Sequence, residues 1–256
     1  MKIIETHCHL DYLRKISVEK VIQQSKEVGI DKIITIAVDP ENQNIVSQLS
    51  KEYDEIYATQ GIHPHDARLL DEEVFNQMEV QLQSNKKIVA VGEIGLDYHY
   101  NHSPREVQLQ AFEKQMELAT KYDKPIVIHS REAEEDTMAI LKNYQNRLKR
   151  KAVLHSYTSS QSLAEYALSE DILFGFNGII TFPKAQNVRD ILKIVPTNNI
   201  VIETDAPFLA PVPYRGKENS PVYLPAILEY ISKLKGIDQN DLATSLYSNS
   251  CQLFNL

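Results

Sequence analysis

The chain predicts an α/β fold: a (β/α)8 TIM-type barrel, formed as one domain over residues 1–256. Three observations carry the prediction. Eight short runs rich in Val and Ile recur along the chain without polar–apolar alternation, as strands buried on both faces require. A stretch of helical periodicity follows each run, and such alternation implies a parallel sheet. The turn after the first run, His7-Cys8-His9, holds no glycine, which disfavours a doubly wound open sheet with its glycine-rich first turn.

The strands are expected at 2–5, 32–37, 56–59, 88–91, 125–128, 152–155, 172–176 and 199–203. Helices are expected between them at 18–28, 41–52, 71–83, 104–122, 132–147, 159–168 and 187–194, and two more close the chain at 221–234 and 238–253. The 104–122 stretch shows the pattern through Val107, Phe112, Met116 and Ala119, with Pro104 suited to a first turn. Gly236 separates the last two helices as a helix-end signal. No linker, low-complexity tract or repeat beyond the alternation divides the chain.

Composition bounds the function. Hydrophobic content of 43% and charged content of 24% place the chain among soluble globular proteins. It has no apolar run of transmembrane length and no basic start followed by an apolar segment, so it reads as cytoplasmic and without a membrane partner. Cys8 and Cys251 are too few and too far apart for a disulfide framework. A net charge of −8 disfavours broad, affinity-driven nucleic-acid binding, but not a nuclease whose metal ions supply local positive charge. Nothing demands an oligomer, and a monomer is expected.

The chemistry gathers at strand ends. His7 and His9 follow the first strand, His63 and His65 the third, and Glu93 and Asp97 the fourth. His129 ends the fifth strand with Arg131 two residues on, His155 ends the sixth, and the eighth runs into Glu203, Thr204 and Asp205. In a barrel all these ends face one mouth, where active sites are built. His99 and His102 fall in a polar loop and receive no role.

Imidazole and carboxylate together suit a divalent metal. A tetrahedral zinc site uses three or four protein ligands, and His7, His9, Glu93, His129, His155 and Asp205 exceed that number, so two ions are expected. Mg, Mn, Zn, Ni and Co are not distinguished. Glu93 is the candidate bridge, since its two oxygens can reach two ions. Asp205 is the candidate general base, and Glu203 is read as supporting rather than ligating. Such a pair of ions acidifies a water and clamps the attacking and leaving oxygens of a displacement.

Seven stretches, in order, match one family: ETHCHLD (5–11), GIHPHDA (61–67), GEIGLDYH (92–99), KPIVIHSRE (124–132), HSYTSS (155–160), GFNGIITFPKA (175–185) and ETDAPFLAPVPYRGKENSPVYL (203–224). The chain resembles the TatD-type metal-dependent deoxyribonucleases, within the wider amidohydrolase-like barrels, nearly end to end. The resemblance implies a divalent-metal-dependent phosphodiesterase acting on DNA, with single strands or 3′ ends as substrate and 3′-to-5′ exonuclease trimming as the activity. It implies that His7 and His9 hold one ion with Asp205, that His129 and His155 hold the other, and that Glu93 bridges them. It places His63 near the substrate phosphate or a third ion. The sequence departs from the usual pattern in Glu5, where Asp is common, and in Ser159, where Gly is common.

For the substrate backbone, the loop Pro213-Tyr214-Arg215-Gly216-Lys217 offers two cations and an aromatic, suited to grip a phosphate and stack a base. Arg131 and Lys184 are further candidates. The same metal set would serve a barrel hydrolase of a small amide, lactone or phosphoester, or an aminoacyl-tRNA deacylase. A non-catalytic scaffold would bind no metal.

Overall fold

The computed structural model describes residues 1–100 and 102–256. Among these, eight strands form one sheet in chain order: β1 (Ile3–Cys8), β2 (Ile30–Thr35), β3 (Ile56–Gln60), β4 (Ile88–Asp97), β5 (Ile126–Arg131), β6 (Ala152–Leu154), β7 (Leu173–Phe176) and β8 (Ile200–Ile202). Each pairs in parallel with the next. Around them run α1 (Val18–Glu27), α2 (Pro40–Glu52), α3 (Glu72–Ser84), α4 (Arg105–Lys121), α5 (Glu134–Leu148), α6 (Gln161–Ser169), α7 (Gln186–Ile194), α8 (Leu224–Lys235) and α9 (Gln239–Phe254). This is the expected (β/α)8 barrel, with every expected helix and strand present. No described helix is long and apolar enough to cross a membrane.

Strand alternation builds two cores. Ile33, Ile126, Ile128, Ile200 and Ile202 face the helices, in one cluster with Phe112 and Met116 of α4. Ile34, Ile36, Val89, Val127, Val153, Leu173 and Val201 fill the barrel interior, floored by Leu253 and Phe254 at the end of α9. Side chains two apart share a face. The inward row that carries Val127, Val153 and Val201 therefore continues to His129, His155 and Glu203. The apolar floor and the polar mouth are successive layers of one barrel.

Helix ends follow local chemistry. Asp39 caps α2 through its side chain, which accepts from the N–H groups of Glu41 and Asn42, and Pro40 opens the helix. Gly236 takes the left-handed conformation (φ 65°) that ends α8, as its position predicts.

Two features differ from expectation or lie beyond it. β4 runs ten residues, to Asp97, instead of stopping at 91, so Glu93 and Asp97 lie within the strand. Within the extended strand, Gly95 (φ +138°) serves a close approach: a Cβ there would lie 2.0 Å from the His129 carbonyl oxygen of β5. The second feature is the seam between β8 and β1. Thr6 Oγ1 donates to the Ile202 carbonyl at 2.9 Å, Asp205 N–H to His7 O at 2.9 Å, and His9 N–H to Ala206 O at 2.7 Å. Glu5 Oε1 accepts from both His7 N–H (3.0 Å) and Thr204 N–H (2.9 Å). Closing the seam thus sets His7, His9 and Asp205 side by side.

Candidate metal centre

Glu93 stands at the centre of the mouth, 3% exposed. Its Oε2 lies 3.4 Å from His7 Nε2. Its Oε1 lies 2.8 Å from His155 Nε2, 2.9 Å from His129 Nδ1 and 3.5 Å from His63 Nε2. Across the seam, Asp205 Oδ1 is 3.4 Å from His9 Nε2 and 3.7 Å from His7 Nε2. In three sets the donor atoms lie within 4.8 Å of one another: His7, His9 and Asp205; His7, Glu93 and His155; His63, Glu93 and His129.

These residues fit divalent cations. Both ring nitrogens of His7 and Nδ1 of His9 are buried without a hydrogen-bond partner, a cost that coordination removes. Ligand atoms about 2.0–2.2 Å from a shared ion lie roughly 3 to 3.5 Å apart, close to the His7–Glu93 and His9–Asp205 separations of 3.4 Å. Nitrogen with carboxylate oxygen suits Zn, Mn, Ni or Co better than a site of oxygens alone.

The electrostatics agree with the geometry. Burial pushes the Glu93 carboxyl up, but His155, His63 and His129 outweigh it and hold it well below the usual carboxylate range. Asp205, raised by burial, is held low by His9, His7 and His155. Burial drives His7 down, and drives His63 down to about 4, so both offer neutral nitrogens. Burial also pulls on His9, His129 and His155, but their carboxylate partners hold each above the ordinary histidine value. A metal ion at these sites must displace protons, which couples loading to pH.

Supporting groups complete the layer. Asp97 Oδ2 lies 3.0 Å from His129 Nε2 and 3.1 Å from His65 Nε2, while its Oδ1 accepts from the N–H groups of His99 and Tyr100. Burial raises the Asp97 carboxyl, but the two histidines hold it well below its usual range. It thereby aims the Nδ1 of His129 at Glu93. Glu203 Oε1 lies 3.3 Å from His155 Nδ1 and accepts from Ser156 N–H at 2.6 Å. Gly175 gives that carboxylate its space, since a Cβ there would lie 2.4 Å from Glu203 Oε2.

His129 and His155, the pair that the resemblance implies for one ion, both reach the same oxygen, Glu93 Oε1. His7, His9 and Asp205 share one corner. His155 stacks on His7, with ring centroids 3.9 Å apart, whereas His129 gathers with His63. His63 also lies in one of the three donor sets, with Glu93 and His129. Asp97 receives no role from the sequence alone, although its place in GEIGLD, four residues after Glu93, is a signal for one.

The basic loop lies outside the cavity wall. The metal-ligand candidates other than His7 line a cavity of about 790 Å³ whose wall includes Arg131, Tyr100, Thr158, Ile179 and Phe208, but not Tyr214, Arg215 or Lys217. The Arg215 guanidinium sits 3.7 Å from the Phe182 ring centroid, and Tyr214 stacks on Tyr223 at 3.9 Å. Arg215 and Lys217 are nevertheless exposed, so both cations stay open to solvent. Glu5 touches no imidazole; it supports His7 through the backbone. Ser159 donates to Ser130 O at 3.1 Å, so its hydroxyl ties this loop to the end of β5.

Comparison with known proteins agrees with the barrel and its mouth. A family profile described as TatD related DNase matches residues 4–255. The chain is 34% identical over 255 residues to the uncharacterized metal-dependent hydrolase YabD of Bacillus subtilis, covering 99% of each. It is 33% identical over 244 residues to the 3′-5′ ssDNA/RNA exonuclease TatD of Erwinia tasmaniensis, covering 93% of each. The crystal structure of YjjV, a TatD homolog from Escherichia coli, superposes with a TM-score of 0.93 at 31% identity, covering 99% of this chain and 98% of that one. A match over nearly every residue, carried by the strand-end motifs that build this mouth, places the chain in the TatD-related DNase family of metal-dependent hydrolases.

Proposed function

We propose that the protein is a divalent-metal-dependent phosphodiesterase acting on DNA, a 3′-to-5′ exodeoxyribonuclease that uses water activated at a two-ion site. The observation that carries this is Glu93, whose two oxygens face different imidazoles: Oε2 faces His7, and Oε1 faces His63, His129 and His155. A carboxylate so placed is suited to join two ions. The name of the Erwinia relative supports a single-stranded nucleic acid as the substrate.

Each residue has a role in this reading. His7, His9 and Asp205 would hold one ion, and His63, His129 and His155 the other, with Glu93 shared. Divalent ions there supply charge to neutralise a phosphodiester and acidify a water. Asp205, with a side chain 14% exposed at the cavity, would serve as the general base that accepts a proton from the attacking water. Asp97 and Glu203 orient His129 and His155. Arg131, on the cavity wall, meets the substrate's phosphate.

The test is nucleotide release from single-stranded DNA by protein loaded with Mg²⁺, Mn²⁺, Co²⁺ or Zn²⁺. Asp205→Asn should lower kcat by about 10²-fold or more. Glu93→Ala should abolish both turnover and stoichiometric metal binding while the circular dichroism of the barrel persists. Hydrolysis of small esters or charged tRNA without release from DNA under any ion would replace this reading with an ester hydrolase.

A further inference from the structure

Two aromatic side chains stand exposed on the wall of the metal cavity: Phe208, 52% exposed, and Tyr100, 47% exposed. They lie on opposite sides of the mouth, because Phe208 follows β8 at the seam with β1 whereas Tyr100 follows β4. Their surroundings differ. The Arg131 guanidinium lies 4.6 Å from the Tyr100 ring centroid. Phe208 meets His9 edge to face, with centroids 6.1 Å apart and planes at 66°, which leaves it standing beside a metal-ligand candidate.

The backbone under Phe208 is rigid. Its N–H donates to Asp205 O at 2.9 Å. Its carbonyl accepts from Asn219 Nδ2, which also donates to Thr204 O, while Asn219 N–H donates to Pro207 O. Asn219 is fully buried. A large apolar ring held in water on a fixed backbone is an anchor without a partner.

Phe208 also walls a second hollow of about 420 Å³, with Tyr12, Arg14, Pro207 and Glu218. Tyr12 and Phe208 line both hollows, so the hollow that holds Arg14 adjoins the metal cavity at the ring. Arg14 is exposed, and Glu218 Oε1 accepts from the backbone N–H groups of Arg14 and Lys15. An aromatic ring between a metal centre and a cation offers partners, in order, for a phosphate, a base and the next phosphate.

We propose that Phe208 is the stacking platform for the base next to the scissile phosphate, and that Arg14 receives the phosphate beyond it. This rests on the nuclease reading and deepens it: the enzyme grips single strands by a base at the β8–β1 seam.

The test pairs turnover with binding. With metal-loaded protein and oligothymidylate, Phe208→Ala should raise KM about tenfold with kcat within twofold, and Phe208→Tyr should restore KM. An abasic spacer at one position next to the cut should raise the wild-type KM equally, with no further rise in Phe208→Ala. Arg14→Ala should flatten the plot of log affinity against log salt by about 0.7. Anisotropy titrations with a cleavage-resistant phosphorothioate oligonucleotide should show the same tenfold loss for Phe208→Ala. Cleavage by the wild type with unchanged KM and affinity in Phe208→Ala overturns the platform and leaves the nuclease standing. Base-dependent binding through Phe208 without any cleavage overturns the nuclease instead. Neither binding nor cleavage overturns both.

Discussion

Glu5 shows how much one carboxyl can settle. It is fully buried, and burial pushes its carboxyl up to about 8, so it is neutral around pH 7. Its Oε1 takes the N–H groups of His7 and Thr204, one from each side of the seam. The shape and the acceptor matter here, not the charge. Glu5→Gln should therefore stay within about 1 kcal/mol of wild type at pH 7, while Glu5→Ala, which strands two buried N–H groups, should cost about 2–4 kcal/mol. Urea unfolding checks this; equal losses in the two variants would show that charge is what matters.

At the scale of the element, α4 does more than its apolar face suggests. Gln108 and Gln115 are seven residues apart on the same face as Phe112 and Met116, and each is 1% exposed. Gln108 accepts from Asp97 N–H at 2.8 Å and donates to Asp97 O at 2.9 Å. Gln115 does the same for Ile62, at 2.7 and 3.2 Å. Two amides of one helix thus pin the ends of β3 and β4, beside His63 and Asp97. Gln108→Leu fills a similar volume but leaves both Asp97 backbone groups unpaired, and should cost about 2–3 kcal/mol. It should also weaken metal binding in calorimetric titration, because Asp97 aims His129. A loss of stability with unchanged metal affinity would confine α4 to packing.

Across the whole molecule, the last helix binds the barrel from below. Phe254 and Leu253 floor the interior, and Tyr247 donates to Asp31 of β2 at 2.6 Å. That hydrogen bond, with Lys2 and Lys32, holds the Asp31 carboxyl down to about 2 against partial burial. The depressed value means that its stabilisation is present above about pH 4, the unfolded value, and is lost as pH falls through about 2. Tyr247→Phe should cost about 1–2 kcal/mol at pH 7, and the penalty should shrink between pH 4 and pH 2 in urea titrations. A penalty constant with pH would show that the bond does not depend on the charge of Asp31.

Consecutive residues were enough to read the alternation of strand and helix, the barrel, and the imidazoles and carboxylates that crowd its mouth. These depend on local period and on the rule that parallel strand ends share one face. How those side chains divide, with His155 against His7 and His63 beside His129, follows only from the folded chain. So does the passage of β4 through its glycines, because the reason for Gly95 is a neighbour on β5. Gln108, Gln115 and Asn219 are silent in the sequence, since a buried amide looks like any surface amide until its partners are known. The basic loop at 213–217 reads as a substrate grip by composition; only the fold shows that Arg215 lies over Phe182 and Tyr214 against Tyr223, and that Phe208 stands at the cavity. Which residues reach a strand end is local; which side chains meet there depends on how the seam closes and how distant loops fold over it.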